Sequence, residues 1–270
     1  MQAVPAQSDG PALANGRAIG GSRPFFVFNL VMAGLHGVQA VAMLLLSRDF
    51  RLPITVSYLA FNEQTQRLDP AIQQIGRVSL AWLMVGFLLL SALAHAFIAT
   101  LYRRRYEREL PLGLNRARWI EYSLSASVMM VGIALLAGVY DLGSLMLIFG
   151  LVAVMNLLGL VMELDNQGVE PRRWSSFWVG CIAGILPWFA VGLYFWASSR
   201  YGGGNIPAFV YGIYVSIFLF FNGFAVNIYL QYKRIGPWRD YLYGERAYMI
   251  LSLVAKSALA WQVFAGTLRP

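Results

Sequence analysis

Seven runs of predominantly apolar residues, at about 24–46, 78–102, 117–140, 144–164, 175–199, 207–231 and 247–268, constrain this chain more than any other feature. Runs of about 20 residues match the ~30 Å hydrocarbon core of a bilayer, at ~1.5 Å per helical residue. Lipid offers backbone N–H and C=O groups no partner, so a spanning segment satisfies them internally, as a helix or in a closed barrel. Barrel strands run only ~9–11 residues and alternate in polarity, so continuous runs of this length mean helices. Composition agrees: 58% of residues are hydrophobic and 13% charged, about half the ~25% charge of soluble domains. The expected fold class is an all-α membrane protein with seven transmembrane helices and the lipid bilayer as its solvent. No internal repeat is visible.

Charge sets the expected orientation. The net charge of +8 comes from basic residues in short bursts between apolar runs, which marks loops and gives no reason to expect a nucleic-acid partner. The N-terminal side of the bundle carries 14 Lys and Arg residues, among them Arg103, Arg104, Arg105, Arg108, Arg116, Arg172, Arg173, Lys233, Arg234 and Arg239. The opposite side carries 6: Arg48, Arg51, Arg67, Arg77, Arg200 and Arg269. By the positive-inside rule the N-terminus is cytoplasmic and the C-terminus extracellular, in a multi-pass protein of the cell membrane. Residues 1–23 are rich in Ala, Gly, Pro and Ser and read as a disordered cytoplasmic tail ahead of a domain at 24–268. The first apolar run exceeds the ~7–15 residues of a signal h-region, so it is retained as a span. The extracellular loop 48–77 is long for a plain link. Within it, Ile54, Val56 and Tyr58 alternate with Thr55, Ser57 and Leu59, which predicts a β-hairpin, either a lid or a contact for a partner subunit, the alternative being an irregular loop. Pro187 is expected to kink the fifth span. The lone cysteine, Cys181, excludes an intrachain disulfide.

One ammonium group lies near the middle of the last span, Lys256 in Arg246-AYMILSLVAKSALAWQVFAGTL-Arg269. A charge there costs ~2.5–3.5 kcal/mol on insertion scales and marks a candidate functional site. Unlike arginine, lysine can deprotonate and condense with an aldehyde. Of the 13 acids, only Glu121 in the third span reads as interior, and the others read as tail, loop or span-end residues. A rise of ~1.5 Å per residue puts Glu121 roughly 8 Å and Lys256 roughly 15 Å below the cytoplasmic edge, within reach of one another if their helices adjoin. The pair is either a functional site or a salt bridge that pins two helices. Both histidines, His36 and His95, are intramembrane. Ser91 with His95, Glu121 with Ser125, and Ser252 with Lys256 are each four residues apart and share a helix face. Together they suggest a hydrated polar cavity able to hold a proton, the alternative being separate interhelical hydrogen bonds. Met129, Met130, Trp178, Trp188, Phe218, Phe220, Phe221 and Trp261 would suit an elongated apolar ligand, while Trp119 and Trp174 read as interfacial belt residues. There is no metal-ligand spacing and no serine–histidine–aspartate set, so neither a metal site nor an enzyme is expected.

Four stretches carry a resemblance: Arg118-WIEYSLSASVM, Phe177-WVGCIAGILPW, Pro207-AFVYGIYVSIFLFFN and Gly244-ERAYMILSLVAKSALAWQ. They resemble heliorhodopsins over about residues 24–268, within the wider seven-helix rhodopsin-like class. The resemblance implies an inverted topology, in accord with the charge count, and all-trans retinal bound covalently to Lys256 as a protonated Schiff base with Glu121 as counterion. It implies that His36, His95, Ser91, Ser125 and Ser252 line the polar cavity. Tyr122, Met129, Trp178, Phe221, Asn222 and Trp261 are implied in the retinal pocket. The first loop is implied as extracellular β-structure at a homodimer contact, and a partner specific to this chain would dock on the tail or the arginine-rich second connection.

The resulting expectation is a light sensor that releases a proton into the internal cavity without net ion transport, with output through conformational signalling to a cytoplasmic partner. The first alternative is a light-driven proton or ion transporter. Other microbial rhodopsins place a donor carboxylate three helical turns past the counterion and another carboxylate four residues before the lysine. Those positions here are Gly132 and Ser252, which disfavours pumping. The second alternative, an intramembrane enzyme using Lys256 and Glu121 as base and acid, has no further support.

Overall fold

The structure is a computed structural model that describes residues 22–203 and 208–270. The expected disordered tail lies outside the described residues, apart from 22 and 23, which begin the first helix. Among the described residues eight α-helices and one hairpin follow in order: α1 (Ser22–Leu46), β1 (Arg51–Asn62), β2 (Arg67–Ser79), α2 (Leu80–Ala99), the short α3 (Arg103–Glu109), α4 (Arg116–Leu136), α5 (Leu142–Asp165), α6 (Ser175–Tyr201), α7 (Ala208–Tyr232) and α8 (Tyr241–Val263). All but α3 are long and apolar enough to cross a membrane, giving the seven expected spans. α6 runs unbroken through Pro187.

Side-chain caps fix where several helices start. Asn115 accepts from the Arg118 amide at the head of α4, Asp141 from Ser144 at the head of α5, and Asp240 from Leu242 at the head of α8. The Asp240 cap starts α8 six residues before the apolar run at 247, so Glu245 and Arg246 are helical rather than loop residues. At the other boundary, β2 runs to Ser79, and residues 78–79 belong to the hairpin instead of the second span.

The helices form a closed ring in which α1, α2, α4, α5 and α6 pack in succession and α8 closes against α1 and α7. α6 and α7 meet through large rings, with Trp188 edge-on to Tyr214, Phe218 and Phe221. The hairpin pairs Arg51 with Ser79 through Asn62 with Arg67, with a bulge between Ile54 and Thr55. It is tied back to the bundle: the Thr55 amide donates to the Tyr140 carbonyl at 2.9 Å, and the Ser57 amide to Asp141 Oδ1 at 3.4 Å. On the other side the Arg48 amide donates to the Leu268 carbonyl at 2.8 Å, closing the hairpin end of α1 onto that of α8.

Candidate functional site

α4 and α8 bring the two isolated interior charges into direct contact. Lys256 Nζ lies 2.7 Å from Glu121 Oε1 and 2.5 Å from Ser91 Oγ, and the Ser91 hydroxyl donates to the same Glu121 oxygen at 2.6 Å. Three helices thus meet in one triangle of charge and hydroxyl. All three side chains are buried, where an unpaired charge would cost several kcal/mol. Tyr122, next on α4, sets its ring centroid 5.2 Å from Nζ. Ser252 and Ser125 stand one turn from Lys256 and Glu121 on the same faces, their buried hydroxyls without partners among the described residues.

The histidines come together on α1 and α2. His36 and His95 stack with centroids 5.8 Å apart and planes 7° from parallel. Asn29 donates from Nδ2 to the Phe25 carbonyl, which leaves its Oδ1 to accept from His95 Nδ1 at 2.8 Å. That assigns the Nδ1 hydrogen of His95. Both ring nitrogens of His36 lack partners among the described residues. Sequence reasoning missed Asn29, although it precedes His36 by seven residues and so shares its face of α1.

An apolar cleft leads away from Lys256. Ser252, Tyr122, Met129, Phe221, Phe224, Met155 and Asn156 line its first part. The last four also line a longer, predominantly apolar cleft that continues past Trp188 and Asn222. A Cβ on Gly184 would sit 2.4 Å from Met155 Sδ, so the glycine lets the thioether lie flat against α6. Of the expected pocket residues, Tyr122, Met129, Phe221 and Asn222 line these clefts. Two do not. Trp178 is 59% exposed on the outer face of α6, because Phe177, Gly180, Cys181 and Gly184 take its inner face. Trp261 turns toward α1, where its Nε1 donates to Gln39 Oε1 at 3.0 Å.

A second ionic cluster, read from sequence as span-end residues, is as deeply buried as the first. Arg118 pairs with Glu163 of α5 and Glu245 of α8, all three buried. Glu163 also accepts from the Asn115 amide at 2.8 Å and the Tyr241 hydroxyl at 3.1 Å, and Glu245 accepts from Asn115 Nδ2 at 2.7 Å. The guanidinium lies 3.9 Å over the Tyr248 ring and 4.5 Å over Trp119. Trp119 is therefore a core residue and not part of an interfacial belt. Its ring seats on Gly159, where a Cβ would meet it at 2.3 Å. Trp119, Tyr122, Tyr248 and Phe224 form an aromatic layer between the two ionic groups, pinned by the Tyr122 hydroxyl donating to the Tyr248 carbonyl at 2.9 Å.

Seven spanning helices around a buried lysine–carboxylate pair, with an apolar cleft opening at the amine, define the rhodopsin class of membrane photoproteins. The fold agrees with a solved member of that class. The crystal structure of the light-driven proton pump LR (Mac) from Leptosphaeria maculans superposes with a TM-score of 0.62 over 92% of this chain and 96% of the pump, at 17% identity. The heliorhodopsin family model matches residues 25–268, and this chain belongs to the heliorhodopsin family. It is accordingly a multi-pass, light-responsive retinal membrane protein. No curated protein matches its sequence.

Proposed function

We propose that the chain is a non-pumping light sensor that holds all-trans retinal through a Schiff-base linkage to Lys256, with Glu121 as counterion. The carrying observation is the 2.7 Å contact of Nζ with a buried carboxylate at the mouth of an apolar cleft. The surroundings suit such a group: the cleft is apolar along its length, and the orphaned hydroxyls of Ser125 and Ser252 lie at the amine end. Bound there, retinal supplies visible absorption and a light-driven change of shape.

The chain's own residues then do the rest. Glu121 holds positive charge at Nζ, and the Ser91 hydroxyl, donating to Oε1, fixes which oxygen faces the nitrogen. Displacing Nζ from Oε1 weakens that pair and frees a proton. The stacked His36 and His95, with Ser91, Ser125 and Ser252, would hold the proton until it returns, so no net charge crosses. Two features favour this over transport. Glu163 and Glu245 are committed to Arg118, and among the described residues no other carboxylate adjoins Lys256.

The Lys and Arg asymmetry supports a cytoplasmic N-terminus and an extracellular hairpin. The exposed apolar residues Tyr58, Leu59, Phe61 and Ile72 on that hairpin support a homodimer contact there. Output to a cytoplasmic partner would run through α4 and α8, which carry both ionic clusters.

Reconstitution with retinal tests the reading. The wild-type chain gains a visible band that Lys256→Ala abolishes, and illuminated cells show no uncoupler-sensitive pH change. Colourless protein in the presence of retinal overturns the chromophore assignment. A sustained uncoupler-sensitive signal overturns the non-pumping one.

A further inference from the structure

We propose that the polar cleft at the Arg118 end of the bundle binds a phosphate group that also offers an O–H hydrogen, from inorganic phosphate or from a hydroxylated phospholipid headgroup. It is independent of the chromophore site, from which the aromatic layer separates it. Three connections converge on the cleft: the link between α3 and α4, the α5–α6 loop and the α7–α8 loop. Arg172, Arg234 and Arg239 stand around it. Glu170 bridges the first two, at 3.0 Å and 3.2 Å, holding their guanidiniums on one side. Arg239 has no ion pair among the described residues. Glu163 also borders the cleft, but its charge is committed to Arg118. Each guanidinium carries five N–H donors, so most of this donor capacity is available to an anion.

Gln231 narrows the ligand. Its side chain is buried, its Nε2 donates to the Tyr241 carbonyl at 3.2 Å, and a Cβ on Gly244 would press against it at 2.7 Å. Reversing the amide would set two oxygens face to face, so the orientation is fixed. Its Oε1 is then a buried acceptor, with no partner among the described residues, on a residue that lines the cleft. An occupant that satisfies both features accepts from arginines and donates to an amide oxygen. Sulfate and carboxylates at neutral pH have no hydrogen to give. Hydrogen phosphate has one, and so does a phosphoglycerol headgroup.

Calorimetry on the purified full-length chain at neutral pH and physiological salt, with phosphate and sulfate as titrants, tests this. Expected is saturable binding of one phosphate per chain, at least about tenfold tighter than sulfate, because sulfate leaves the Gln231 oxygen unpaired. Gln231→Leu should erase that preference. Arg239→Gln, an exposed change that does not touch the core, should weaken phosphate at least about fivefold. A parallel arm uses phosphatidylcholine nanodiscs with and without phosphatidylglycerol, read by native mass spectrometry. One retained phosphatidylglycerol, lost in Arg239→Gln and with no response to free phosphate, makes the lipid the source. Equal, unsaturable binding of both anions, or full indifference to Arg239→Gln in both arms, overturns the site and leaves a diffuse basic surface.

Discussion

Removing the Arg118 guanidinium tests whether the ionic cluster around it is dry. Arg118→Met keeps much of the side-chain volume and deletes the charge between Glu163 and Glu245. Two charge-assisted hydrogen bonds disappear, each ~1.5–3 kcal/mol. Stacking over Tyr248 and Trp119 adds ~0.5–2 kcal/mol. Partial compensation remains, since Glu163 keeps the Asn115 amide and the Tyr241 hydroxyl, and Glu245 keeps Asn115 Nδ2. The two carboxylates can also share a proton. The net loss is ~3–5 kcal/mol, the range for stranding buried partners of a broken ion pair. Equilibrium unfolding in mixed micelles, followed by tryptophan emission, measures it. The triple variant Arg118→Met, Glu163→Gln, Glu245→Gln strands no charge and should recover more than half of the loss. A cost below ~1 kcal/mol for the single variant, the value of an exposed pair, would show the cluster to be solvated and refute the reasoning.

Ser91→Ala removes the hydroxyl shared by Lys256 and Glu121 while keeping their contact, and should destabilise the fold by ~1–3 kcal/mol; thermal loss of helical circular dichroism reports it. Gly159→Ala drives a methyl into the Trp119 ring and should cost ~1–3 kcal/mol, with a changed tryptophan emission maximum as the local signature. Backbone and hydroxyl hydrogen bonds from Ser144 hold the Asp141 carboxyl below its ordinary range. A depressed carboxylate contributes stability above its unfolded value of ~3.9 and loses it as pH falls through the folded value. Protection of the Ser57 amide, relative to its intrinsic exchange rate at each pH, should therefore hold near neutrality and fall only below about pH 4. Asp141→Ala should produce the same loss of protection at pH 7, and unchanged protection there would contradict the anchoring role of this cap.

Sequence showed the spans plainly because lipid leaves helices no polar option, and each span is far longer than any buried strand. It also exposed Lys256 and Glu121, since a charge set in from the ends of an apolar span is costly and calls for a partner. The Arg118 cluster was harder to see for the same reason. Arg118, Glu163 and Glu245 lie near span ends, where charges are ordinary, and only the packing of α4, α5 and α8 reveals that they face one another. The extent of α8 depended on the Asp240 cap, a local signal that hydropathy averages away. Trp178 and Trp261 show a different limit. A tryptophan in an apolar helix is equally at home facing lipid or core, and a rotation of one residue decides which. The hairpin was legible from its period-two alternation, but its tie to Tyr140 and Asp141 was not, because backbone bonds leave no trace in side-chain pattern.

The layer formed by Trp119, Tyr122, Tyr248 and Phe224 makes the molecule electrically two chambers and mechanically one. Rings packed mostly edge to face fill the space between the two ionic groups, and among the described residues no ion pair joins the Lys256 side to the Arg118 side. The walls of both chambers are nonetheless the same two rods, α4 and α8. A displacement of either rod would be felt at both ends, so under the proposed function the Arg118 side would receive the effect of a photon as movement and not as charge.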